Sequence, residues 1–303
     1  MGFARKMITF SIGLLGCSTT NMDTPDAMPL SRQATAVAAL QAVYGDKNLS
    51  AVDTYFDAAF IRHDPGATGD GTVAFKTDVA GALPGLSWNY DRVFEEGDYV
   101  VVHDEYDNLL AAGVHSISFD LFRFANDKIA EHWTCKQTDP GTYASGHTMV
   151  DGPTTADPAA DTTASEDIVS TPGKGFVPVV IVGGAFSELP NYLSPTFAQH
   201  DPLIADGLMG LGAAFSSPPL NSLAAVAVPE SVGEHDFVFT RSKGTITWDA
   251  LKPNSPNNPT VYCDLFHVQA GLITEHWDVI QADPNSSNIN DIKTNAAGHT
   301  LWN

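Results

Sequence analysis

The sequence predicts an α+β protein built from two tandem domains, and three observations carry that prediction. Phe119–Trp133 (FDLFRFANDKIAEHW) returns as Cys263–Trp277 (CDLFHVQAGLITEHW), with Asp, Leu, Phe, Ile, Glu, His and Trp recurring 144 positions on. In each half, helical periodicity comes first and β-branched, alternating stretches follow, which is the order of one sheet covered by helices on one side. The 303 residues also exceed what one core supports, since cores stop growing near roughly 250–300 residues.

The chain opens with Arg5 and Lys6, then an apolar core, Met7–Gly16, too short to span a bilayer and suited to a signal peptide. Leu14-Leu15-Gly16-Cys17 resembles a bacterial lipobox, in which the Cys is lipidated and becomes the new N-terminus. Residues 1–17 are therefore expected to be a lipoprotein-type signal peptide, and 18–30 a polar tether. The alternatives are a secretory signal cut elsewhere, or a cytosolic start with a chance Cys. The expected location is the bacterial cell envelope, lipid-anchored on the periplasmic or outer-membrane side, or secreted. No later segment is long and apolar enough to cross a membrane.

The first domain is expected over 31–150. Ser31–Asn48 reads as a helix capped by Ser31 and ended by Gly45, with Val37, Leu40, Val43 and Tyr44 near helical spacing. Val52–Phe60 reads as a second short helix, and Gly71–Ala82 as a third. Leu86–Phe94, Tyr99–Tyr106, Val114–Phe124 and Lys128–Thr134 read as strands of a meander. Residues 151–175, rich in Pro, Thr, Ala and Asp and without apolar period, read as a linker.

The second domain, 176–303, repeats this order. His200-Asp201-Pro202 matches His63-Asp64-Pro65 at an offset of 137, Asp206-Gly207 matches Asp70-Gly71, and Gly298-His299-Thr300 matches Gly146-His147-Thr148. The copies are unequal: Phe176–Glu188 holds Pro178, Gly183 and Gly184 where the first copy has its opening helix.

Composition narrows the partners. With 36 acidic against 15 basic residues, a formal charge of −21, neither nucleic acid nor an anionic membrane surface is an expected partner, because both need a positive face. Any membrane contact would come through the N-terminal anchor alone. Motifs for serine hydrolases, phosphate-binding loops, dinucleotide folds and zincins are missing. Cys135 and Cys263 hold non-equivalent repeat positions and read as buried free thiols; the alternative, a cross-domain disulfide, needs Cα atoms within roughly 7 Å.

The Tyr/Phe-rich stretch, His-Asp-Pro, Asp-Gly, Gly97-Asp98-Tyr99-Val100, Asp120-x-Phe-Arg123, Lys128-Ile-x-Glu-His-Trp133 and the closing Gln137 together resemble the SnoaL-like branch of the nuclear-transport-factor-2-like superfamily. Within it the chain is most similar to the predicted aldol-condensation-catalysing proteins. The resemblance covers Ala34–Met149 and, more loosely, Val177–Leu301. It implies two cone-shaped domains, each a curved antiparallel sheet wrapped on helices, joined as an internal pseudo-dimer. It also implies a pocket for a small apolar carbonyl compound, with a carboxylate and a histidine moving a proton without a cofactor, as in an isomerase, cyclase or aldol-type lyase. The resemblance puts the catalytic Asp just after the Glu-His-Trp triplet, which here is Asp278 in the second copy but Thr134 in the first. The cyclases' pocket His falls near Asp120 and Asp264, so this chain departs from them there.

Candidate residues follow from both lines. Asp120 and Asp264 lie mid-strand among apolar neighbours, where a carboxylate must be paired or face a pocket, so with Asp278 they are acid–base candidates. The plain alternative is a carboxylate bonded to Arg123, His132 or a backbone amide. His132 and His276 alternate with Trp133 and Trp277 and so point to the opposite face. A two-residue turn at Asn126-Asp127 would set Asp120 opposite Trp133, and a three-residue loop opposite Thr134; the sequence leaves both open. His63 and His200, in loops after the helices, are candidates for the pocket mouth, or else turn chemistry with Asp and Pro. Tyr55, Phe60, Trp133, Tyr192 and Trp277 are candidate pocket aromatics, with core packing as the alternative. His-Asp alone supplies too few ligands for a metal, so no metal or other cofactor is expected. The rival to catalysis is an envelope lipoprotein that binds a ligand or a protein.

Overall fold

The structure is a computed structural model that describes residues 30–217, 221, 224–246, 258–282 and 294–300. The expected signal peptide, Cys17 and residues 18–29 lie outside the described residues.

The first domain opens with α1 (Arg32–Leu40), whose first turn is capped by Ser31 Oγ accepting the Ala34 N–H at 3.1 Å. A π-type turn continues it to Gly45, and together they bury Ala36, Ala39, Leu40, Val43 and Tyr44. Val52–Phe60 is not the expected helix. Only one turn forms, α2 (Val52–Tyr55), and the chain then extends as β1 (Phe56–Arg62). Phe56 and Phe60 have helical spacing and are both buried, but a register break between Phe56 and Ile61 lets extended backbone bury both. Next come α3 (Gly71–Ala80), β2 (Ser87–Glu96), β3 (Tyr99–Asp107), β4 (His115–Ala125) and β5 (Lys128–Thr138).

The five strands lie in the order β1-β5-β4-β3-β2. The sheet is mixed rather than purely antiparallel, because β1 runs parallel to β5 at one edge while the meander is antiparallel. The second domain repeats this plan. It contains α5 (Leu189–Tyr192), β6 (Leu193–Gln199), α6 (Gly207–Phe215), β7 (Ala224–Glu234), β8 (Phe237–Ile246), β9 (Asn258–Gln269) and β10 (Leu272–Ala282), in the strand order β6-β10-β9-β8-β7. The repeat read from residues is a repeat of topology.

The segment expected as a linker, 151–175, is not structureless. It forms α4 (Thr162–Val169), capped by Asp161 and burying Val169 in the core of the second domain. Ahead of it, Arg92 of β2 donates to the carbonyls of Asp151 and Pro153, and Trp277 Nε1 donates to Asp151 O at 2.9 Å. A segment without apolar period is fixed here by its backbone carbonyls and one capped turn, signals that composition does not carry.

The hairpin register settles which residues share a face. Asn126 and Asp127 form a two-residue turn with φ of 50° and 60°, which alone would pair Asp120 with Trp133. A bulge at Ala130 adds one residue to β5, since Phe124 pairs with Ile129 but Arg123 with Glu131, and Asp120 therefore sits opposite Thr134. The second copy does the same. Ala270-Gly271 is the turn, Thr274 the extra residue, and Asp264 faces Asp278 across the strands. The expectation of a two- or three-residue loop thus resolves as a two-residue turn plus a bulge.

With that register, Asp120, Phe122, His132 and Thr134 point toward the helices, and Phe119, Leu121, Trp133 and Cys135 point the other way. The latter face packs against the matching face of the second sheet, where Phe237, Phe239, Cys263, Leu265 and Trp277 complete one buried cluster. Each sheet's helix-covered face has its own core. Cys135 and Cys263 are not free thiols: they form a disulfide between the two sheets, with Cα atoms 6.4 Å apart. Their repeat equivalents, Val279 and Phe119, sit in the same interface, so non-equivalent positions meet across it.

Two terminal straps cross over reciprocally. His200 Nδ1 lies 2.8 Å from Thr148 O of the first copy, and His63 Nδ1 lies 3.1 Å from Thr300 O of the second. His147 and His299, at matching strap positions, reach Asp206 at 3.3 Å and Asp70 at 2.8 Å. Each domain's tail thus docks on the other, as a two-fold interface requires.

Candidate functional site

In the second domain, β9 and β10 carry Asp264, His276 and Asp278 to the base of a cavity of about 50 Å³. Its wall is apolar, formed by residues such as Phe176, Phe197, Ile204, Leu211, Phe215 and Phe266. His276 Nε2 lies 3.2 Å from Asp264 Oδ1, and its Nδ1 lies 3.0 Å from Gln199 Oε1. That same Gln199 oxygen accepts the backbone N–H groups of His200 and Asp201, so it is an acceptor and His276 Nδ1 is the donor. The ring is therefore fixed with Nε2 toward Asp264.

Asp278 is buried in the same cavity wall. Burial, reinforced by the neighbouring carboxyls of Asp201 and Asp264, holds it well above the usual carboxylate range. It shares a hydrogen bond with Asp201, whose own carboxyl is raised by burial against a bond from the Leu203 N–H. Asp278 Oδ1 is buried with no hydrogen-bond partner among the described residues. A protonated carboxyl beside an Asp–His pair is a donor beside an acceptor, the division of roles that proton transfer at a carbonyl requires. Ligand atoms of Asp264, His276 and Asp278 also lie within 4.8 Å of one another, so among the described residues this trio could hold a divalent cation.

In the first domain the equivalent base is polar. Asp120 accepts from Tyr106 OH at 3.0 Å and pairs with His132 Nε2 at 2.8 Å. Burial alone would raise Asp120, but His132, Thr134 and Lys136 outweigh it and hold the carboxyl below its ordinary value. The cavity, about 210 Å³, is lined by Arg62, Asp64, Asp78 and Lys136 among others. Arg62 pairs with Asp78 at 2.5 Å and Lys136 with Asp64. Burial opposes ionisation of Asp64, yet Lys136 brings it down to about 2.

The structure brings Asp120 with His132, and Asp264 with His276 and Asp278, but not the other candidates. His63 and His200 do not line the cavities. They stack on Trp133 and Trp277, with ring centroids 4.7 and 4.5 Å apart, and reach Glu131 at 2.9 Å and Glu275 at 3.3 Å. The His of His-Asp-Pro and the Glu and Trp of Glu-His-Trp are therefore one structural unit on the inter-sheet side. Trp133 and Trp277 belong to that interface and not to a pocket, because they alternate with the pocket histidines. Phe60 is core against Phe56 and Phe75, and Tyr55 packs at that core's edge. Tyr192 donates its hydroxyl to Lys174 O at 2.6 Å, outside the cavity.

Residues not picked out from the sequence include Asp201, Tyr44, Tyr106 and Asp104. Asp104 was legible by the criterion applied to Asp120, being a carboxylate mid-strand at a position that alternates with Val100, Val102 and Tyr106, all buried. The pocket roles of Tyr44 and Asp201 depend on how helix and loop close over the sheet, which no local pattern states.

Residues 37–132 match the model of the SnoaL-like domain family. The resemblance read from the motifs thus holds for the first domain, and the second repeats its strand order. No curated protein matches the chain. Among solved structures, a candidate polyketide cyclase from Acidithiobacillus ferrooxidans is similar at 19% identity and TM-score 0.32, covering 35% of this chain and 89% of that one. An NTF2-like protein of unknown function from Cytophaga hutchinsonii is similar at 17% identity and TM-score 0.31, covering 40% and 96%. IdmH from Streptomyces antibioticus, described as a candidate polyketide cyclase, is similar at 15% identity and TM-score 0.31, covering 36% and 93%. Likenesses of this size carry no argument about chemistry.

Proposed function

We propose that this is an exported protein, lipid-anchored through Cys17, whose second domain encloses a pocket for a small, mostly apolar carbonyl compound and moves a proton at it without a cofactor. The observation that carries this reading is Asp278 Oδ1, a buried oxygen without a partner among the described residues, on one apolar cavity with the Asp264–His276 pair. Asp264 takes the proton α to the carbonyl, His276 orients it, and the protonated Asp278 donates to the carbonyl oxygen as negative charge develops there. Isomerisation, cyclisation and aldol reactions all begin with this step. The disulfide supports export, since such bonds persist in oxidising compartments.

A second reading, a non-catalytic binding protein of the envelope, is favoured by one observation. A cavity of about 50 Å³ is small against the roughly 300–1,000 Å³ of ordinary ligand pockets, so a ligand would have to spread the apolar walls. Mass spectrometry of compounds that co-purify with the mature protein separates the two. The proposal expects an apolar ketone or its product, lost in Asp264→Asn. A co-purifying compound without a carbonyl, unchanged in that variant, would favour binding alone. Palmitate labelling lost in Cys17→Ser checks the anchor, and labelling that survives would refute it.

A further inference from the structure

The registers of the two domains align row by row, and the charges on the rows do not. Val102, Asp120 and Thr134 lie across β3, β4 and β5 as Thr240, Asp264 and Asp278 lie across β8, β9 and β10. The next row is Asp104, Ser118 and Lys136 in the first domain and Ser242, Tyr262 and Ile280 in the second. On the edge strands, Arg62 faces His132 as Gln199 faces His276. The first cavity thus sets Arg62 and Lys136 against Asp64, Asp78 and Asp120. The second gathers Asp201, Asp264 and Asp278 with no Lys or Arg among its described lining residues, because Gln199 and Ile280 stand at the positions of those two cations. Carboxyls gathered in an apolar enclosure need a positive partner. We infer that this partner is a divalent transition-metal ion, held by Asp264, His276 and Asp278 with the Ser242 hydroxyl beside them.

The donor atoms support this. Those of Asp264, His276 and Asp278 lie within 4.8 Å of one another. His276 gives its Nδ1–H to Gln199 Oε1 at 3.0 Å, which leaves the lone pair of the neutral ring on Nε2, facing Asp264 Oδ1 at 3.2 Å. A ring lone pair against a carboxylate oxygen needs a positive charge between them, which a second ring proton or a metal ion supplies. An acceptor on the far nitrogen is also what metal-bound histidines carry. Two buried atoms point to the same ligand independently. Asp278 and Ser242 line the cavity at 6% and 2% exposure, and Asp278 Oδ1 and Ser242 Oγ have no hydrogen-bond partner among the described residues. The volume agrees, since about 50 Å³ is tight for an organic ligand but holds an ion and its water.

The donor set selects the ion. One imidazole nitrogen with carboxylate oxygens and a hydroxyl suits zinc or manganese over calcium or magnesium. Tetrahedral zinc, with ligands at about 2.0–2.2 Å, keeps them about 3.4 Å apart, near the 3.2 Å between His276 Nε2 and Asp264 Oδ1. Asp201, hydrogen-bonded to Asp278, steadies the second carboxylate. The site is confined to the second domain, because the first has Thr134 in place of Asp278 and its Lys136 already pairs with Asp64. This goes beyond the proton-transfer reading and does not rest on it. The ion and the proton of that reading compete for one oxygen, so the ion is a stop on such chemistry and not its cofactor.

The test is a calorimetric titration of the mature, oxidised protein, stripped with EDTA and dialysed, with zinc chloride. The expected result is a single saturable site whose affinity falls about 100-fold or more in Asp278→Asn, since a lost ligand costs at least as much as a lost outer-shell partner. Gln199→Ala should weaken it about 10–100-fold. Ile280→Lys, which restores the first domain's cation, should abolish binding, and it keeps the test decisive should Asp278→Asn fail to fold. His115→Gln, which removes an exposed histidine beside Glu105 and Asp107, should leave the site unchanged. The proposal is overturned by an absence of saturable binding, by a site that survives Asp278→Asn or Ile280→Lys in a folded variant, or by one that is lost in His115→Gln. The titration reads binding and not turnover, so its outcome is separate from whether the α-protons of cyclohexanone exchange for deuterium.

Discussion

Reduction of the Cys135–Cys263 bond should cost more stability than any single side-chain replacement in the molecule. The bond closes a loop of 128 residues between two sheets that also meet through packing, the crossed straps and hydrogen bonds such as those from the Lys136 N–H to Gln281 Oε1 and from the Ile280 N–H to Gln137 Oε1. The chain-entropy relation for a loop of that length gives about 5 kcal/mol at room temperature, lost when the unfolded chain is freed. For a folded body of this size, each kcal/mol moves the melting temperature by roughly 2–4 °C, so the reduced protein should melt about 10–20 °C lower. Thermal melts by circular dichroism, with and without a thiol reductant, measure this directly, because reduction removes the bond and leaves every atom of the buried cluster in place. Equal melting temperatures would refute the reasoning. So would two reactive thiols, in excess of any at Cys17, in the unreduced, unfolded protein.

His200→Ala should destabilise the protein by about 1–3 kcal/mol, since it strips one partner from half-buried Glu275 and one from the strap at Thr148. Because His200 is outside the cavity, α-proton exchange per folded molecule should persist; chemical denaturation and the exchange assay check the two halves of that statement. Asp91 gives a pH signature. Burial, then Glu105, raises its carboxyl to about 7, so the folded state binds a proton that the unfolded state releases from about 4 upward. Stability should therefore fall as pH rises from about 4 to about 7 and level off above that, and Asp91→Asn should flatten this part of the profile; an unchanged profile in the variant would count against it.

Much of the fold was legible because the repeat and the alternation are local. The strands of the first meander begin and end within a few residues of where their apolar alternation places them, and Ser31 caps the helix it precedes. Val52–Phe60 misled because Phe56 and Phe60 bury equally well from a bulged strand as from a helix. The site was half legible. Asp120, Asp264, Asp278, His132 and His276 lie on the cavity faces, but only a bulge at Ala130 and at Thr274 puts them there, and neither residue announces it. His63 and His200 were misplaced for the opposite reason. Their loops read as pocket mouths, while the decisive contact is a stack on a Trp 70 and 77 residues away, across the edge of the sheet. The disulfide was hidden because a two-fold interface joins positions that are not repeat equivalents.

Proton transfer in the second domain is reached most directly by one measurement. Deuterium exchange at the α-carbon of cyclohexanone, compared between the mature protein and Asp264→Asn, should run above the buffer rate and drop about 100-fold or more in the variant. A wild-type rate no faster than buffer, or an Asp264→Asn rate equal to wild type with the fold intact, would contradict it.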